Sequence, residues 1–403
     1  MVTRWIHTTI GYLIQQKEVS IQTGPFGTIL SAKDFSDYGI PVISVREIRQ
    51  GHIEIFDETP CVSMDIYRRL SQFDLKSNDL VFARKGNVER SALIPEIGQF
   101  FLGSDGIRLR FSNPILARLV LYILQENKVK QFLTSNSYGT TMAGLNESII
   151  SAIPLFYPAT IDEQRRIAEA LSDVDELITS LEKLIAKKKA IKQGAMQELL
   201  TGKRRLPGFS GEWETKCIRD LGRFVGGGTP STKNEAWWDG SIPWISSSDL
   251  EVGEIRKIQI KRFITQEAVN CSATCICPAN TVLIVSRVGV GKVGVAPCAL
   301  CTSQDFSNLI LYDVNPLFVA FSLSVIMREI AETVQGTSIK GVTTESVAAI
   351  ELVIPEQTEQ EAIVSVLLDM DNELEQCNHK LSKARQIKQG MMQQLLTGKI
   401  RLV

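Results

Sequence analysis

The segment Ile191-Lys-Gln-Gly-Ala-Met-Gln-Glu-Leu-Leu-Thr-Gly-Lys203 recurs as Ile387-Lys-Gln-Gly-Met-Met-Gln-Gln-Leu-Leu-Thr-Gly-Lys399, and this repetition decides the fold. Eleven of the 13 positions are identical, at an offset of 196 residues. The same offset relates Glu163-Gln164 to Glu359-Gln360. Two long units of this kind indicate an internal duplication rather than a solenoid of many short repeats.

Both copies of this segment end a run with a heptad period. Residues at alternating steps of four and three form a mostly apolar stripe, which is typical of a coiled-coil seam. In the first copy the seam positions are Ile167, Leu171, Val174, Ile178, Leu181, Ile185, Lys188, Lys192, Ala195 and Leu199. In the second copy they are Ile363, Leu367, Met370, Leu374, Cys377, Leu381, Ala384, Lys388, Met391 and Leu395. Each helix is predicted to begin after Pro158 or Pro355 and to end at Gly202 or Gly398. About 38 residues at ~1.5 Å each give a rod of ~57 Å. We expect the two rods to pack antiparallel, because each must bury one stripe and the two halves are related by duplication.

Upstream of each helix the two halves match more weakly. Gly39–Ser44 corresponds to Ser241–Ser246, and Leu80–Gly86 corresponds to Leu283–Gly289, which pairs Arg84 with Arg287. Short β-rich runs alternate with Gly-rich turns in these regions, and helical stretches follow them. The fold class predicted is α/β, of the α+β kind. It comprises two pseudo-twofold-related domains, each with a mixed, largely antiparallel sheet, separated by an antiparallel coiled coil of two long helices. The boundaries predicted are 1–158 and 206–355 for the domains, with a linker at 206–213, and 159–205 and 356–403 for the helices.

The composition is that of an ordinary globular protein. Of 403 residues, 44% are hydrophobic and 22% are charged, and the formal net charge is −1. No stretch approaches the roughly 20 apolar residues that span a bilayer, and the N-terminus does not have the pattern of a signal peptide. A cytoplasmic protein is expected. The net charge supplies no general attraction to nucleic acid, so any DNA contact requires locally segregated basic residues.

Patterns that would indicate catalysis or a bound metal are weak. His7, His52 and His379 are isolated from acidic residues at metal-ligand spacing. The run Val288–Val293 lacks the first glycine and the Ser or Thr of a phosphate loop. Five cysteines between Cys271 and Cys301 would suit zinc. Their alternation and the absence of a counterpart in the first half favour reduced cysteines on strands. The sequence therefore predicts no catalytic, cofactor-binding or metal residues.

One further pattern is of a kind found in enzymes, and the class to consider is a DNA methyltransferase. Phe224-Val-Gly-Gly-Gly228 fits a loose S-adenosylmethionine-binding pattern. An adenine N6-methyltransferase also requires an Asn/Asp-Pro-Pro-Tyr/Phe segment that holds the flipped base. Asn113-Pro114 and Asn315-Pro316 lack the second proline and the aromatic residue. A turn that contacts DNA is the better interpretation of Phe224–Gly228.

Two variable α/β domains, each followed by a near-identical helix ending in Leu-Leu-Thr-Gly-Lys, resemble the DNA-specificity (S) subunit family of type I restriction–modification systems. Gly228-Thr-Pro-Ser231, Trp244-Ile-Ser-Ser-Ser-Asp249 and Ser286-Arg-Val-Gly289 support the resemblance. The first copy departs from it, with Gly24-Pro-Phe-Gly27 and Ala83-Arg-Lys-Gly86 at the corresponding places.

The resemblance implies a non-catalytic, sequence-specific reader of double-stranded DNA. Each domain would read one half of a bipartite target, and the helices would set the spacer and dock two modification subunits. Those partners would bind S-adenosylmethionine and methylate adenine N6, and two restriction subunits that use ATP and magnesium can join them. The alternatives are a self-contained DNA methyltransferase and a coiled-coil scaffold without sequence recognition.

Candidate DNA contacts are basic, amide and hydroxyl side chains on Gly-rich loops of both copies, because such groups bind bases and phosphates. In the first copy they are Arg84, Lys85, Asn87, Arg90, Asn136, Tyr138 and Thr140. In the second copy they are Thr229, Ser231, Lys233, Arg287, Lys292, Thr337, Ser338 and Lys340. Arg84 and Arg287 are the leading pair, since each follows a predicted strand and precedes a glycine.

Overall fold

The computed structural model describes residues 4–139, 143–335 and 341–402. The chain divides into two compact units, residues 1–182 with 380–403 (unit 1) and residues 183–379 (unit 2). Each unit therefore combines one globular domain with segments of both long helices. Within the described ranges, no helix has both the length and the apolar character that crossing a bilayer requires.

Short strands and helices build the two globular domains, and two helices of 39 residues follow them. The first domain contains β1 (Trp5–Thr9), α1 (Ile10–Gln15), β2 (Val19–Thr23), β3 (Phe35–Ser36), β4 (Ile40–Ile43), β5 (Cys61–Val62), α2 (Met64–Arg69), β6 (Asp74–Leu75), β7 (Leu80–Ala83), β8 (Ser91–Leu93), β9 (Phe100–Leu102), β10 (Gly106–Phe111), α3 (Pro114–Leu124), α4 (Asn127–Asn136), α5 (Glu147–Ser151) and β11 (Pro154–Pro158). The first long helix is α6 (Ile161–Leu199). The second domain contains β12 (Glu214–Cys217), α7 (Ile218–Leu221), β13 (Gly222–Gly226), β14 (Ile242–Ile245), β15 (Arg262–Ile264), α8 (Gln266–Asn270), β16 (Ile276–Cys277), β17 (Val282–Val285), β18 (Val293–Val295), β19 (Leu300–Thr302), β20 (Phe306–Leu311), α9 (Pro316–Gln335), α10 (Thr344–Ala348) and β21 (Glu351–Ile354). The second long helix is α11 (Gln357–Leu395).

The strands of each domain form three sheets with corresponding orders. In unit 1 the orders are β1-β11, β2-β10-β7-β8 and β3-β5-β4-β9-β6, and in unit 2 they are β12-β21, β13-β20-β17-β18 and β15-β14-β19-β16. Among the described strands, β4 with β9 and β14 with β19 pair in parallel, and the other pairs are antiparallel. The predicted mixed, largely antiparallel strands are confirmed. They are divided among three sheets rather than one, and two of these sheets in unit 1, β1-β11 and β2-β10-β7-β8, share one hydrophobic cluster.

The predicted seams of α6 and α11 are confirmed, since every seam position is buried or half-buried. In unit 1, Ile167 and Leu171 of α6 join Leu395 of α11 in the core of the first domain. In unit 2, Leu199 of α6 and Leu367 of α11 join the core of the second domain. Each domain thus packs on both helices, and burial of the two seams stabilises the helices and the domain together.

Equivalent side chains fix the ends of the long helices. Gln164 Nε2 donates to Pro158 O, and Gln360 Nε2 donates to Pro355 O, both at 2.8 Å. Gly202 and Gly398 have φ angles of 72° and 70°. This left-handed conformation suits glycine after a helix C-terminus, so the sequence signals for start and stop act as expected.

Ion pairs show that the helices run antiparallel within each unit. In unit 1, Asp175 and Glu182 of α6 pair with Lys388 and Arg385 of α11, each at 2.7 Å. In unit 2, Lys188 and Lys192 of α6 pair with Glu373 and Asp371. In both units the residue number rises along one helix as its partner's number falls, which confirms the antiparallel prediction.

Candidate nucleic-acid interface

Three segments meet at the end of β7 in unit 1, and we call them the first rim (84–86, Asp105 and 143–145). The backbone N–H of Arg84 donates to Asp105 O at 2.8 Å, and Leu145 N–H donates to Arg84 O at 2.8 Å. Lys85 Nζ lies 3.0 Å from Asp105 Oδ1. The backbone is therefore well anchored, while the side chain of Lys85 is exposed.

Arg84 is held in place by an exposed aromatic ring. Its guanidinium carbon lies 5.5 Å from the ring centroid of Phe26, which is 57% exposed. Its Nε is buried without a hydrogen-bond partner among the described residues. Phe26 is placed by the turn after β2, where Gly24 packs so closely that a Cβ there would lie 1.8 Å from Gly103 O. Arg84 thus presents a guanidinium with remaining donors, stacked on a ring, which is an arrangement that suits base or phosphate recognition.

Other candidates of the first copy serve local structure as well. The side chain of Asn87 accepts from Glu89 N–H at 3.2 Å, and Asn136 Nδ2 donates to Phe132 O at 2.8 Å. Tyr138 and Gly144 exchange two backbone hydrogen bonds, so Tyr138, which is 44% exposed, is joined to the first rim. Asn136 and Asn87 are exposed but are not joined to it by any hydrogen bond between described residues. Thr140 lies outside the described residues.

The corresponding second rim (286–288, Asp305 and 341–342) has the same backbone pattern. Ser286 N–H donates to Asp305 O at 2.9 Å, and Val342 N–H donates to Ser286 O at 2.7 Å. These are the bonds that Arg84 makes in unit 1. The structure therefore aligns Ser286 with Arg84 and Arg287 with Lys85.

The predicted equivalence of Arg84 and Arg287 is wrong by one residue. The sequence match suggested this equivalence because both arginines stand shortly before a glycine. Strand pairing gives a different register: Leu80 pairs with Leu109 in unit 1, and the corresponding pair in unit 2 is Val282 with Leu309. With this register the two loops have equal length. Arg90 O accepts from Ala83 N–H, and the corresponding Lys292 O accepts from Val285 N–H.

The corrected register places basic residues at two equivalent positions of each loop. Lys85 corresponds to Arg287, which is exposed, and Arg90 corresponds to Lys292, whose Nζ donates to Ser247 O at 2.8 Å. Arg84 has no basic counterpart, because Ser286 is buried and its hydroxyl donates to Asp305 O at 3.3 Å. The two rims therefore share a scaffold and differ in the side chains they present.

The turn after β13 carries three further candidates, which lie beside a pocket. Thr229 Oγ1 donates to Gln304 Oε1, and Ser231 and Lys233 are exposed. Two indole N–H groups hold this turn, with Trp244 Nε1 donating to Gly228 O at 2.9 Å and Trp238 Nε1 donating to Ser231 O at 3.2 Å. Thr337, Ser338 and Lys340 lie outside the described residues.

Sequence reasoning missed the pocket itself. It is an open cavity of about 430 Å³ lined by Thr229, Thr232, Glu235, Trp238, Trp244 and Arg262. The guanidinium carbon of Arg262 lies 4.6 Å from the ring centroid of Trp244, and Arg262 pairs with buried Asp249. In the first domain, strand pairing places Val42 where unit 2 has Trp244. The paired tryptophans at 237–238 and Trp244 were the available signal, but strand pairing was needed to bring Arg262 to them.

The cysteine cluster is divided between the interior and the surface. Cys277 and Cys301 are buried, and burial raises the pKa of both thiols, that of Cys277 to about 12. Cys271, Cys275 and Cys298 are exposed. In the part of the chain that the structure describes, no three His, Cys, Asp or Glu side chains are grouped to hold a metal ion.

Comparison with known proteins gives a consistent match. The family model described as the type I restriction modification DNA specificity domain matches residues 19–193 and 210–384. The putative type I restriction enzyme MjaX specificity subunit of Methanocaldococcus jannaschii is 25% identical over 93% of this chain and 90% of its own length. The MjaIX specificity subunit of the same organism is 35% identical, and the EcoR124I/EcoR124II specificity subunit of Escherichia coli is 33% identical. These two matches span 41% and 40% of this chain and about two-fifths of the relatives' own lengths, 39% and 41%.

A solved structure shares the fold. The S subunit of a type I restriction–modification system from M. genitalium aligns with a TM-score of 0.62, covering 98% of this chain and 96% of that one at 15% identity.

Proposed function

The chain belongs to the type I restriction–modification DNA specificity family, and we propose that its two globular domains each read one half of a bipartite DNA target. We call them the first and second recognition domains. One observation carries the proposal: two rims anchored by the same two backbone hydrogen bonds present different side chains, Arg84 and Lys85 in unit 1 and Ser286 and Arg287 in unit 2. A shared scaffold with differing side chains suits two readers of two different sequences.

We propose further that the chain performs no chemistry itself. Two modification subunits would bind S-adenosylmethionine and methylate adenine N6, and two restriction subunits would use ATP and magnesium. The long helices would set the spacer between the half-sites and dock the modification subunits. We place this activity in the cytoplasm, with the DNA that it reads.

The methyltransferase alternative is disfavoured by the packing of its candidate cofactor loop. Phe224–Gly226 belongs to strand β13 and pairs with β20. A Cβ on Gly227 would lie 2.0 Å from Ser303 O, and one on Gly228 would lie 2.5 Å from the Ala273 carbonyl carbon. These glycines serve close backbone packing, and a cofactor would have no room against them.

The test combines the purified chain with its modification subunit and maps N6-methyladenine in substrate DNA by sequencing. We expect no methylation by the chain alone, and methylation at one bipartite sequence when the partner is present. Scrambling either half-site should abolish it, with the spacer kept constant as the control. Stoichiometric methylation by the isolated chain would support the methyltransferase instead. Binding that ignores scrambling of both half-sites would support a scaffold without sequence recognition.

A further inference from the structure

Two lysines occupy corresponding positions of the otherwise mostly apolar helix seams. Lys192 of α6 lies in unit 2, where it is 8% exposed, and Lys388 of α11 lies half-buried in unit 1. They stand 196 residues apart, the offset of the duplication. An ammonium group in such a place is costly unless it is paired and hydrogen-bonded.

Each lysine pairs with an aspartate of the facing helix. Lys192 Nζ donates to Asp371 Oδ1 in unit 2, and Lys388 Nζ lies 2.7 Å from Asp175 Oδ1 in unit 1. The two aspartates are themselves related by the offset of 196 residues. Both units therefore hold α6 and α11 in the same register through the same pair of charges.

Each lysine also contacts the globular domain of its own unit. Lys192 Nζ lies 5.4 Å from the ring centroid of Phe321 on α9. Lys388 Nζ lies 5.5 Å from the ring centroid of Tyr122 and 3.2 Å from Gln125 Oε1, at the end of α3. Helices α3 and α9 correspond, since each begins at a proline that follows an asparagine. One side chain in each unit thus joins both long helices to the recognition domain.

We propose that the Lys192–Asp371 and Lys388–Asp175 pairs fix the register of α6 against α11, and thereby restrict the protein to one spacer length between half-sites. A shift by one residue moves a helix by ~1.5 Å, and a shift by one heptad moves it by ~10 Å. After a shift of one heptad, leucine and isoleucine of the seam would meet apolar partners again. The lysine and aspartate would not meet each other again, so the shift leaves two charges without partners in the seam, and polar seam residues select register in this way.

This inference rests on the proposed function, since the spacer belongs to a bipartite target. Its test uses a charge-free chain that carries Lys192→Met, Asp371→Leu, Lys388→Met and Asp175→Leu together. Replacing a buried ion pair by apolar residues of similar volume is often neutral or stabilising, so we expect this chain to fold. The matched control carries Arg385→Met and Glu182→Leu, which removes an ion pair that joins the same two helices outside the seam, where the side chains are 59% and 47% exposed.

Each chain is expressed with its modification subunit, and the spacer lengths of methylated sites are read by sequencing. We expect the wild type and the control to methylate sites of one spacer length. The charge-free chain should also methylate sites whose spacer is about three base pairs longer or shorter, because a heptad shift of ~10 Å corresponds to about three steps of ~3.4 Å along B-DNA. We expect discrimination between spacings to fall about tenfold or more, which corresponds to about 1.4 kcal/mol.

A single spacer length in the charge-free chain would overturn the inference while leaving the proposed function intact. Loss of its folded state, followed by circular dichroism, would show that the pairs serve stability instead of register, and would overturn the inference too. Failure of the wild type to methylate any bipartite site would instead contradict the proposed function.

Discussion

Arg205 and Glu359 of unit 2 form a bidentate ion pair, with Nε to Oε1 and Nη2 to Oε2 both at 2.6 Å. The carboxylate lies in the first turn of α11 and is 1% exposed, and Trp213 Nε1 also donates to it at 3.1 Å. Unit 1 repeats the arrangement, because Arg401 donates to both oxygens of Glu163. In each unit the pair fastens the segment after one long helix to the first turn of the other.

Arg205→Met should lower the melting temperature of the chain by several degrees. The substitution leaves the buried carboxylate of Glu359 without its cation, which is far more costly than losing an exposed pair. The hydrogen bond to Glu359 raises the pKa of Arg205, so the arginine stays charged at every practical pH. Arg204→Met is the control, because Arg204 pairs with exposed Glu198 at 3.1 Å. Thermal unfolding followed by circular dichroism measures both, and equal melting temperatures would contradict the expectation.

Two alanine substitutions in unit 2 should have opposite effects on stability. Gly202 has a left-handed φ of 72° and approaches Trp213, so Gly202→Ala should destabilise the protein by about 1–2 kcal/mol. Gly194 lies inside α6 with open space around its missing Cβ, so Gly194→Ala should stabilise it by about 0.5–1 kcal/mol. Urea unfolding measures both changes. The same sign for both would show that neither backbone conformation nor helix propensity governs these positions.

Glu126→Gln should stabilise unit 1 at neutral pH and lose that effect in acid. Glu126 precedes α4, and burial raises the pKa of its carboxyl more than the ion pair with Lys128 at 2.9 Å lowers it. A raised folded-state pKa means that the native protein binds this proton more tightly than the unfolded chain does. The carboxyl of Glu126 therefore makes its full contribution to stability below the unfolded pKa of about 4.3. That contribution is lost as the pH rises through the folded pKa.

The measurement compares melting temperatures of Glu126→Gln and wild type between pH 4 and pH 8. Glu96→Gln is the control, since Glu96 is 71% exposed and pairs with Arg118. A gain that is the same at all pH values would mean that the glutamine acts through packing instead of charge.

Arg287→Ala should weaken specific DNA binding and relax recognition of one half-site. A direct arginine contact to a base is worth about 1–3 kcal/mol, or roughly 5- to 150-fold in Kd. The matched control is Arg223→Ala, on β13 of the same sheet. On the neighbouring strand β20, Arg223 pairs with Ile310, whereas the end of β17, which precedes Arg287, pairs with Phe306. Arg223 and the end of β17 are therefore about four residues, or ~13 Å of strand, apart. Gel-shift titrations against DNA with either half-site scrambled measure the loss of affinity. Equal losses for Arg287→Ala and Arg223→Ala would contradict a DNA contact by Arg287.

Lys85→Ala should also weaken DNA binding, through loss of a phosphate contact in unit 1 instead of a base contact. Lys85 occupies the position of Arg287 on the same backbone scaffold. Lysine more often holds a phosphate, so we expect a lower salt dependence of binding with little change in sequence preference. Binding measured at several salt concentrations tests this, and an unchanged slope would argue against a phosphate contact.

The sequence by itself determined the duplication, the two helices, their seams and the residues that end them. Each of these depends on residues close together in the chain, where a heptad period or a glycine after a helix acts locally. Opposite charges at Asp175 and Lys388, and again at Asp371 and Lys192, agree with the antiparallel order that the duplication suggested.

Only the tertiary structure decided which loop residues correspond. The arginine-to-glycine match paired Arg84 with Arg287, whereas strand pairing pairs Arg84 with Ser286. The pocket of Trp238, Trp244 and Arg262, the division of the strands among three sheets, and the contact of Arg205 with Glu359 were likewise not predicted. The physical reason is that these contacts join residues distant along the chain, and their partners are selected when the whole hydrophobic core packs.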